Sequence, residues 1–186
     1  MDSTELRFTE LFHAHYGAVY RYALRRSDHQ LADEVAAETL TIAWRKLHDV
    51  PSGEARARAW LLAVARRVLA NTARSGRRAA LLSDRLNAQP APAVADIADT
   101  VAERHQVFSA LSHLAERDQE AMKLIGWDGL SVAQAATVLG CSRGALAVRL
   151  HRARRSIHHI LHDGEPAEAA SAAPGAITTQ GNQAHA

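Results

Sequence analysis

The chain has 186 residues, of which 47% are apolar and only 5% aromatic, and its net charge is +2. This length allows one or two small domains, and an apolar fraction supplied mainly by alanine and leucine favours helices over strands. The single cysteine, Cys141, excludes an internal disulfide and a zinc site built from cysteines alone.

Helical spacing of apolar residues predicts three helices in the first half of the chain, at residues 8–26, 31–47 and 55–74. Turn-forming residues at 49–53 predict a loop, and Ser-Gly at 75–76 predicts the end of the third helix. The positions that mark the buried side of these helices are Phe8, Leu11, Phe12, His15, Val19, Tyr22 and Ala23 in the first, Leu31, Val35, Thr39, Ile42 and Lys46 in the second, and Leu61, Val64, Ala65, Val68 and Thr72 in the third.

Charge follows these helices in blocks. Residues 28–54 carry six acidic side chains against two basic ones, whereas residues 55–78 carry seven arginines and no acid. A second acid-free basic block runs over residues 143–155. One basic block alone would indicate only a solvated helix face. Two acid-free basic blocks favour a polyanion as their partner, and the acidic block favours a protein partner.

Composition changes at residues 87–93, where alanine and proline provide nothing to bury. We therefore predict a first domain at residues 5–78, a flexible linker at 79–103 and a second domain at 104–162. The remaining residues, 163–186, are rich in alanine, glycine and serine, and we expect a disordered tail.

The most informative segment, residues 129–155, predicts a helix-turn-helix. Ser131 and Gln134 form a capping box that starts one helix. Gly140 follows where a left-handed turn costs glycine little, and Ser142 caps the next helix. Two helices joined in this way suit a reader of the major groove. An ordinary helical hairpin with a basic solvent face is the alternative.

The two helices of this motif differ in their expected faces. The first has a buried face of small residues that lets another helix approach closely, made of Val132, Ala135, Ala136 and Leu139. The second has one buried stripe, made of Leu146, Leu150, Ala153 and Ile157. The cations off this stripe, which we expect to be available for DNA, are Arg143, Arg149, Arg152 and Arg155.

As a whole the chain resembles the extracytoplasmic-function sigma factors, the smallest bacterial RNA polymerase sigma subunits. Residues 130–154 look like the family's promoter-reading helix-turn-helix, residues 33–40 with Trp44 are similar to its polymerase-binding helix, and residues 59–66 look like its −10 segment. The resemblance implies two small all-α domains that direct core polymerase to specific promoters. The first domain would recognise and melt the −10 element, and the second would bind the −35 element.

The resemblance also implies which residues act. The residues for core polymerase, which docks through a coiled coil of its β′ subunit, are Asp33, Glu34, Glu38 and Trp44. The residues for the −10 element are Trp60, Arg66, Arg67, Asn71 and Arg74. The residues for the −35 element are Ser142, Arg143, Ala147, Arg149 and Arg152. Where the family commonly has polar side chains, Ala145 and Ala147 predict few hydrogen bonds to bases. As residue types, Trp44 and Trp60 favour partial burial by packing, with contact to polymerase or DNA as the alternative.

The partners implied are core RNA polymerase, promoter DNA and a helical anti-sigma protein that covers both domains, and the free chain is expected to be a monomer. We expect no catalysis or cofactor, because the sequence has no nucleophile motif and no phosphate-loop or dinucleotide-binding glycine pattern. We expect no metal, because His158 and His162 lack a third ligand on their helix. No secretory signal or membrane span is predicted, which favours the cytoplasm. Two alternatives stay open, a dimeric regulator that binds an operator without polymerase and a small helical enzyme.

Overall fold

The computed structural model of the protein describes residues 2–83 and 109–163, and within these ranges every regular element is helical. The main helices are α1 (Ser3–Leu24), α2 (His29–Arg45), α3 (Glu54–Ser83), α4 (Glu116–Gly126), α5 (Val132–Leu139) and α6 (Arg143–Asp163). A short 3-10 turn lies at Leu47–Asp49, and one helical turn at residues 109–112 precedes α4. The all-α prediction is confirmed. Within the described ranges, no helix combines the length and apolar character that crossing a bilayer requires.

The first domain is built from α1, α2 and α3, which pack against one another. Most of the predicted core is buried, including Tyr22, Val35 and Leu61, each at most 1% exposed. Three predicted positions are exposed instead, namely Phe12, Lys46 and Thr72. Lys46 already lies past the end of α2, and Thr72 lies where α3 extends beyond its neighbours, since residues 71–76 are all exposed.

Several helix ends differ from the prediction, and the first two helices begin earlier than expected. α1 begins at Ser3, since the backbone N–H of Asp2 donates to the Glu5 carboxylate at 3.0 Å. α2 begins at His29, because Asp28 accepts from the backbone N–H of Leu31 at 2.8 Å and caps it.

The largest difference is that α3 continues through residues 75–76 to Ser83. A helical glycine costs only about 1 kcal/mol, and the arginine, alanine and leucine that follow are strong helix formers. Residues 79–83, which we assigned to the linker, are therefore helical. The rest of the predicted linker up to residue 108 and the predicted tail from residue 164 lie outside the described residues.

The two halves of the chain are in direct contact. α3 of the first domain packs against α5 of the second as well as against α1 and α2. As a result, buried side chains from both halves belong to one continuous apolar cluster, which includes Leu61, Leu62 and Ala65 from α3 and Ala135 and Ala136 from α5. This packing determines which faces of the two domains remain accessible.

Candidate nucleic-acid interface

The predicted helix-turn-helix forms from the local signals that predicted it. Ser131 accepts from the backbone N–H of Gln134 at 3.3 Å, and Gln134 accepts from the backbone N–H of Ser131 at 2.8 Å. Gly140 takes the left-handed conformation, with φ of +66° and ψ of 38°. Ser142 accepts from the backbone N–H of Ala145 at 3.2 Å and caps α6. The motif is therefore confirmed at its start, its turn and its second cap.

The buried faces of the motif largely match the prediction. On α6, Leu146, Leu150 and Ala153 are at most 2% exposed, and Ile157 is partly buried. On α5, Val138 is buried, whereas Val132 is 37% exposed. Helices α3, α4 and α6 all contact α5, so its buried face is wider than one stripe, while Val132 stands at its exposed first position.

The outward side of α6 carries most of the residues assigned to the −35 element. Four of the five assigned residues are exposed, namely Ser142, Arg143, Ala147 and Arg152, and so is the nearby Arg155. Arg149 differs, because its Nε lies 3.3 Å from Oδ1 of Asp118 on α4 and its side chain is only 22% exposed. Arg149, which we expect to be available for DNA, is therefore paired within the second domain, and its role at the −35 element stays a prediction.

Val148 is a residue that the sequence reasoning missed. It is 58% exposed, and on a helix it lies opposite the stripe of Leu146, Leu150 and Ala153. An apolar side chain at the centre of an outward face is suited to contact thymine methyl groups in the major groove. The signal was present in the sequence as a β-branched residue off the stripe.

The residues assigned to the −10 element lie mainly on one face of α3. In a continuous helix, Trp60, Arg67, Asn71 and Arg74 share that face, since they follow steps of seven, four and three residues. Arg67, Asn71 and Arg74 are exposed, and Arg74 donates a hydrogen bond to the Asn71 side chain. Arg66 is separated from this face by about 120° and is partly buried.

The residues assigned to core polymerase lie together on the exposed side of α2. Asp33, Glu34 and Glu38 are exposed, and Trp44 is 45% exposed. The ring of Phe8 meets Trp44 edge-on, with 5.0 Å between ring centroids. Trp44 therefore packs against Phe8 with part of its surface and leaves the rest exposed. Trp60, by contrast, is partly buried against the main apolar cluster.

Two further expectations concern potential metal and thiol sites. Among residues 2–83 and 109–163, no three His, Cys, Asp or Glu side chains gather into a group that could hold a metal ion. Cys141, in the turn of the helix-turn-helix, is partly buried and packs against the main apolar cluster.

Comparisons with known proteins agree with these features. The family described as "Sigma-70 region 2" matches residues 11–79, and the one described as "Sigma-70, region 4" matches residues 104–157. The chain is 32% identical over 155 residues to the ECF RNA polymerase sigma factor SigL of Mycobacterium tuberculosis, covering 82% of this chain and 88% of that protein.

Two solved structures are also similar to the chain. One is the sigma factor RpoE in complex with the anti-sigma factor NepR from Bartonella quintana, with a TM-score of 0.60, 28% identity, and coverage of 82% of this chain and 94% of that one. The other is CnrH in complex with the cytosolic domain of CnrY, with a TM-score of 0.56, 27% identity, and coverage of 85% and 89%.

Proposed function

The chain belongs to the extracytoplasmic-function RNA polymerase sigma factors, and from this premise we propose how its surfaces divide the work of promoter-specific initiation. The observation that carries the proposal is the presence, in one chain, of an exposed acidic face on α2 and an exposed basic face on α6 of the helix-turn-helix. The first face suits a protein partner and the second suits DNA.

The exposed face of α2 is proposed to bind core polymerase. Asp33, Glu34 and Glu38 offer three carboxylates to a basic partner, and Trp44 adds an exposed aromatic surface near the C-terminal end of the same helix. Aromatic side chains contribute large contact areas at protein interfaces. Within this proposal Trp44 is the anchor, and the carboxylates determine which partner surface is accepted.

The basic face of α3 is proposed to hold the −10 region. Arg67, Asn71 and Arg74 form an exposed polar row along the helix, and Trp60 lies on the same face nearer its start. Melting requires that unstacked bases be held by stacking and by cations along the backbone. Arg66 lies off this row, so we assign it a contribution to local charge only.

The N-terminal half of α6 is proposed to enter the major groove at the −35 element. Arg143 and Arg152 supply phosphate contacts, which position the helix without reading sequence. Ala145, Ala147 and Val148 present an apolar surface to the bases, so discrimination depends on thymine methyl contacts and duplex shape more than on hydrogen bonds.

The proposal includes regulation and location. The RpoE and CnrH structures are complexes with an anti-sigma factor and with the cytosolic domain of CnrY, respectively, and we propose a comparable inhibitory protein for this chain. The factor would act in the cytoplasm with its polymerase, as a binding protein and not as a catalyst.

The test is reconstitution of initiation. The purified chain is added to core RNA polymerase with genomic DNA, and promoter-specific transcripts are mapped. We expect defined start sites that disappear when Trp44→Ala and Glu38→Lys are combined. The matched control is Glu10→Lys, an exposed charge reversal on α1. A stable homodimer by gel filtration that binds operator-like DNA without initiating would instead establish the dimeric regulator.

A further inference from the structure

The C-terminal part of α3 extends beyond the rest of the first domain. Among the described side chains of this helix, Val68 and Leu69 are the last that pack against the main apolar cluster. Residues 71–76 are all exposed, although the helix continues to Ser83. We call residues 71–83 the α3 extension. At about 1.5 Å per residue it is about 20 Å long, and its exposed first turns gain no stability from packing against the domain.

The α3 extension is positively charged. It contains Arg74, Arg77 and Arg78 and no acidic residue, because the one acid of α3 is Glu54 at its start. Positions 77 and 78 follow Arg74 by three and four residues, which places them on the same side of the helix. The exposed polar row proposed for the −10 region therefore continues along the helix, past the point where packing against the domain ends.

Arg74 shows how a guanidinium is held on this side of the helix. Its Nε donates to the backbone carbonyl of Ala70 at 3.2 Å, and another of its nitrogens donates to the Asn71 side chain. Among residues 2–83 and 109–163, no carboxylate forms an ion pair with Arg67 or Arg74. The remaining N–H donors of Arg74 are therefore available to an anion, and Asn71 is a positioning residue that keeps the guanidinium against the helix.

The direction of the chain indicates which part of a promoter the α3 extension would meet. After α3 the chain continues to the second domain, to which we assign the −35 element, upstream of the −10 element. The C-terminal end of α3 is therefore directed upstream, where the DNA stays double-stranded. Duplex DNA presents one phosphate per about 3.4 Å on each strand, so about 20 Å of helix matches about six base pairs.

We propose that the α3 extension lies along the duplex immediately upstream of the −10 element and binds its phosphates through Arg74, Arg77 and Arg78. This inference rests on the proposed function, because it places the extension beside DNA that the first domain already holds. Arginines that contact phosphates position DNA without reading its sequence, so their contribution is independent of the base sequence of this duplex. An acidic protein surface would suit the same arginines, and the experiment separates these two kinds of partner.

The test compares two DNA fragments that bind the complex of the chain with core polymerase. Both carry a −10 element mapped by the reconstitution, with its non-template strand single-stranded, and neither contains a −35 element. The duplex of the short fragment ends at the upstream edge of the −10 element, and that of the long fragment continues for about ten base pairs, one turn of DNA. Fluorescence anisotropy measures the affinity for each. We expect the long fragment to bind more tightly, with an advantage that falls about tenfold between about 50 mM and about 200 mM salt, as about two phosphate contacts require.

Arg77→Gln combined with Arg78→Gln should remove this advantage and leave the affinity for the short fragment unchanged. Glutamine is also a good helix former, so the double variant removes charge and keeps the helix. Arg21→Gln combined with Arg117→Gln removes the same charge from exposed positions on α1 and α4 and should retain the advantage. An advantage that changes with the base sequence of the added duplex, or that persists in the Arg77 and Arg78 variant, overturns the inference. If that variant instead loses affinity for core polymerase while the advantage remains, the extension faces a protein and the inference is wrong.

A proximity measurement gives an independent result. Cys141 is the only cysteine of the chain, so in a Cys141→Ala background an iron chelate that generates hydroxyl radicals can be attached at Ser75→Cys, an exposed position of the α3 extension. In the bound complex we expect cleavage of the duplex immediately upstream of the −10 element, and none with Cys141→Ala alone. If the chain initiates normally but this duplex is not cut, the inference is wrong and the proposed function stands. If the chain initiates at no promoter, the proposed function fails and the inference fails with it.

Discussion

Arg149 on the recognition helix is paired with Asp118 on α4, with 3.3 Å between Nε and Oδ1. The pair is mostly buried, with side chains 22% and 29% exposed, and it ties the middle of α6 to the helix behind it. Any contact of Arg149 with DNA therefore competes with an internal ion pair. The residue expected to read DNA is also a residue that positions the reading helix.

Asp118→Asn should release Arg149 toward DNA. We expect tighter binding to a duplex selected by the chain, and a salt dependence steeper by about one phosphate contact. Fluorescence anisotropy at several salt concentrations measures both. Glu116→Gln removes the same charge from an exposed position on α4 and should leave the slope unchanged. An equal slope in both variants would contradict this account.

Arg152→Ala should have the opposite effect. This side chain is exposed on α6, and its loss should weaken binding uniformly across sequences and flatten the salt dependence by about one phosphate contact. The same anisotropy series measures the change. Arg117→Ala, an exposed arginine on α4, serves as the control for charge. An unchanged slope for Arg152→Ala would show that it makes no phosphate contact.

Replacing each of two glycines of the helix-turn-helix by alanine should change the free energy of unfolding in opposite directions. At Gly140, with φ of +66°, alanine meets no steric obstacle within 4 Å, so only the left-handed backbone is penalised, by about 1 to 2 kcal/mol. Gly144 lies in α6 with equally open surroundings, and alanine there should stabilise by up to about 1 kcal/mol. Urea unfolding measures the change in the free energy of unfolding for each variant. If both variants stabilise the protein, or both destabilise it, this explanation is wrong.

Thr39→Val should stabilise the first domain. Thr39 is fully buried in α2, and its hydroxyl has no hydrogen-bond partner among the described residues. A methyl group of similar size removes this unsatisfied hydroxyl, with a gain of about 1 kcal/mol in the free energy of unfolding. The control is Thr41→Val, because the exposed Thr41 hydroxyl donates to the backbone of Ala37 at 2.9 Å. That substitution should not stabilise.

His15 should make stability depend on pH. It is 3% exposed, and burial lowers its pKa below 6.5, with Arg58 acting in the same direction and Glu54 opposing. The unfolded chain then binds the proton more readily, so stability is full above about pH 6.5 and declines as the pH falls below that value. The decline in melting temperature from about pH 7.5 to about pH 5.5 should be smaller in His15→Gln, whereas His13→Gln, exposed on the same helix, should retain it.

The sequence was most informative where the determinants are local. The capping box of Ser131 and Gln134, the left-handed Gly140 and the cap at Ser142 each act within a few residues, so their pattern predicted the helix-turn-helix. The same reasoning ended α3 too early, because a Ser-Gly pair can stop a helix or simply weaken it. Which of the two happens depends on the helix propensity of the residues that follow, relative to the free energy of leaving the helix. A short sequence pattern does not show that difference.

Contacts between distant residues were not predictable in this way. No local pattern in the sequence singles out Asp128, yet it pairs with Arg26, 102 positions earlier in the chain. Charge alone offers many possible partners, and only the packing of α5 on α3 selects this one. The ion pair of Arg149 was unpredictable for the same reason, since its partner Asp118 lies on another helix.

The apolar cluster that spans α3 and α5 also bears on how the chain unfolds. Where two domains share buried side chains, melting one exposes a surface that the other had covered, so each loses stability when the other opens. The chain should therefore melt as a single cooperative unit despite its two-domain organisation. Cooperativity of this kind links the thermal resistance of the DNA-reading half to the integrity of the polymerase-binding half, 70 or more residues away along the chain.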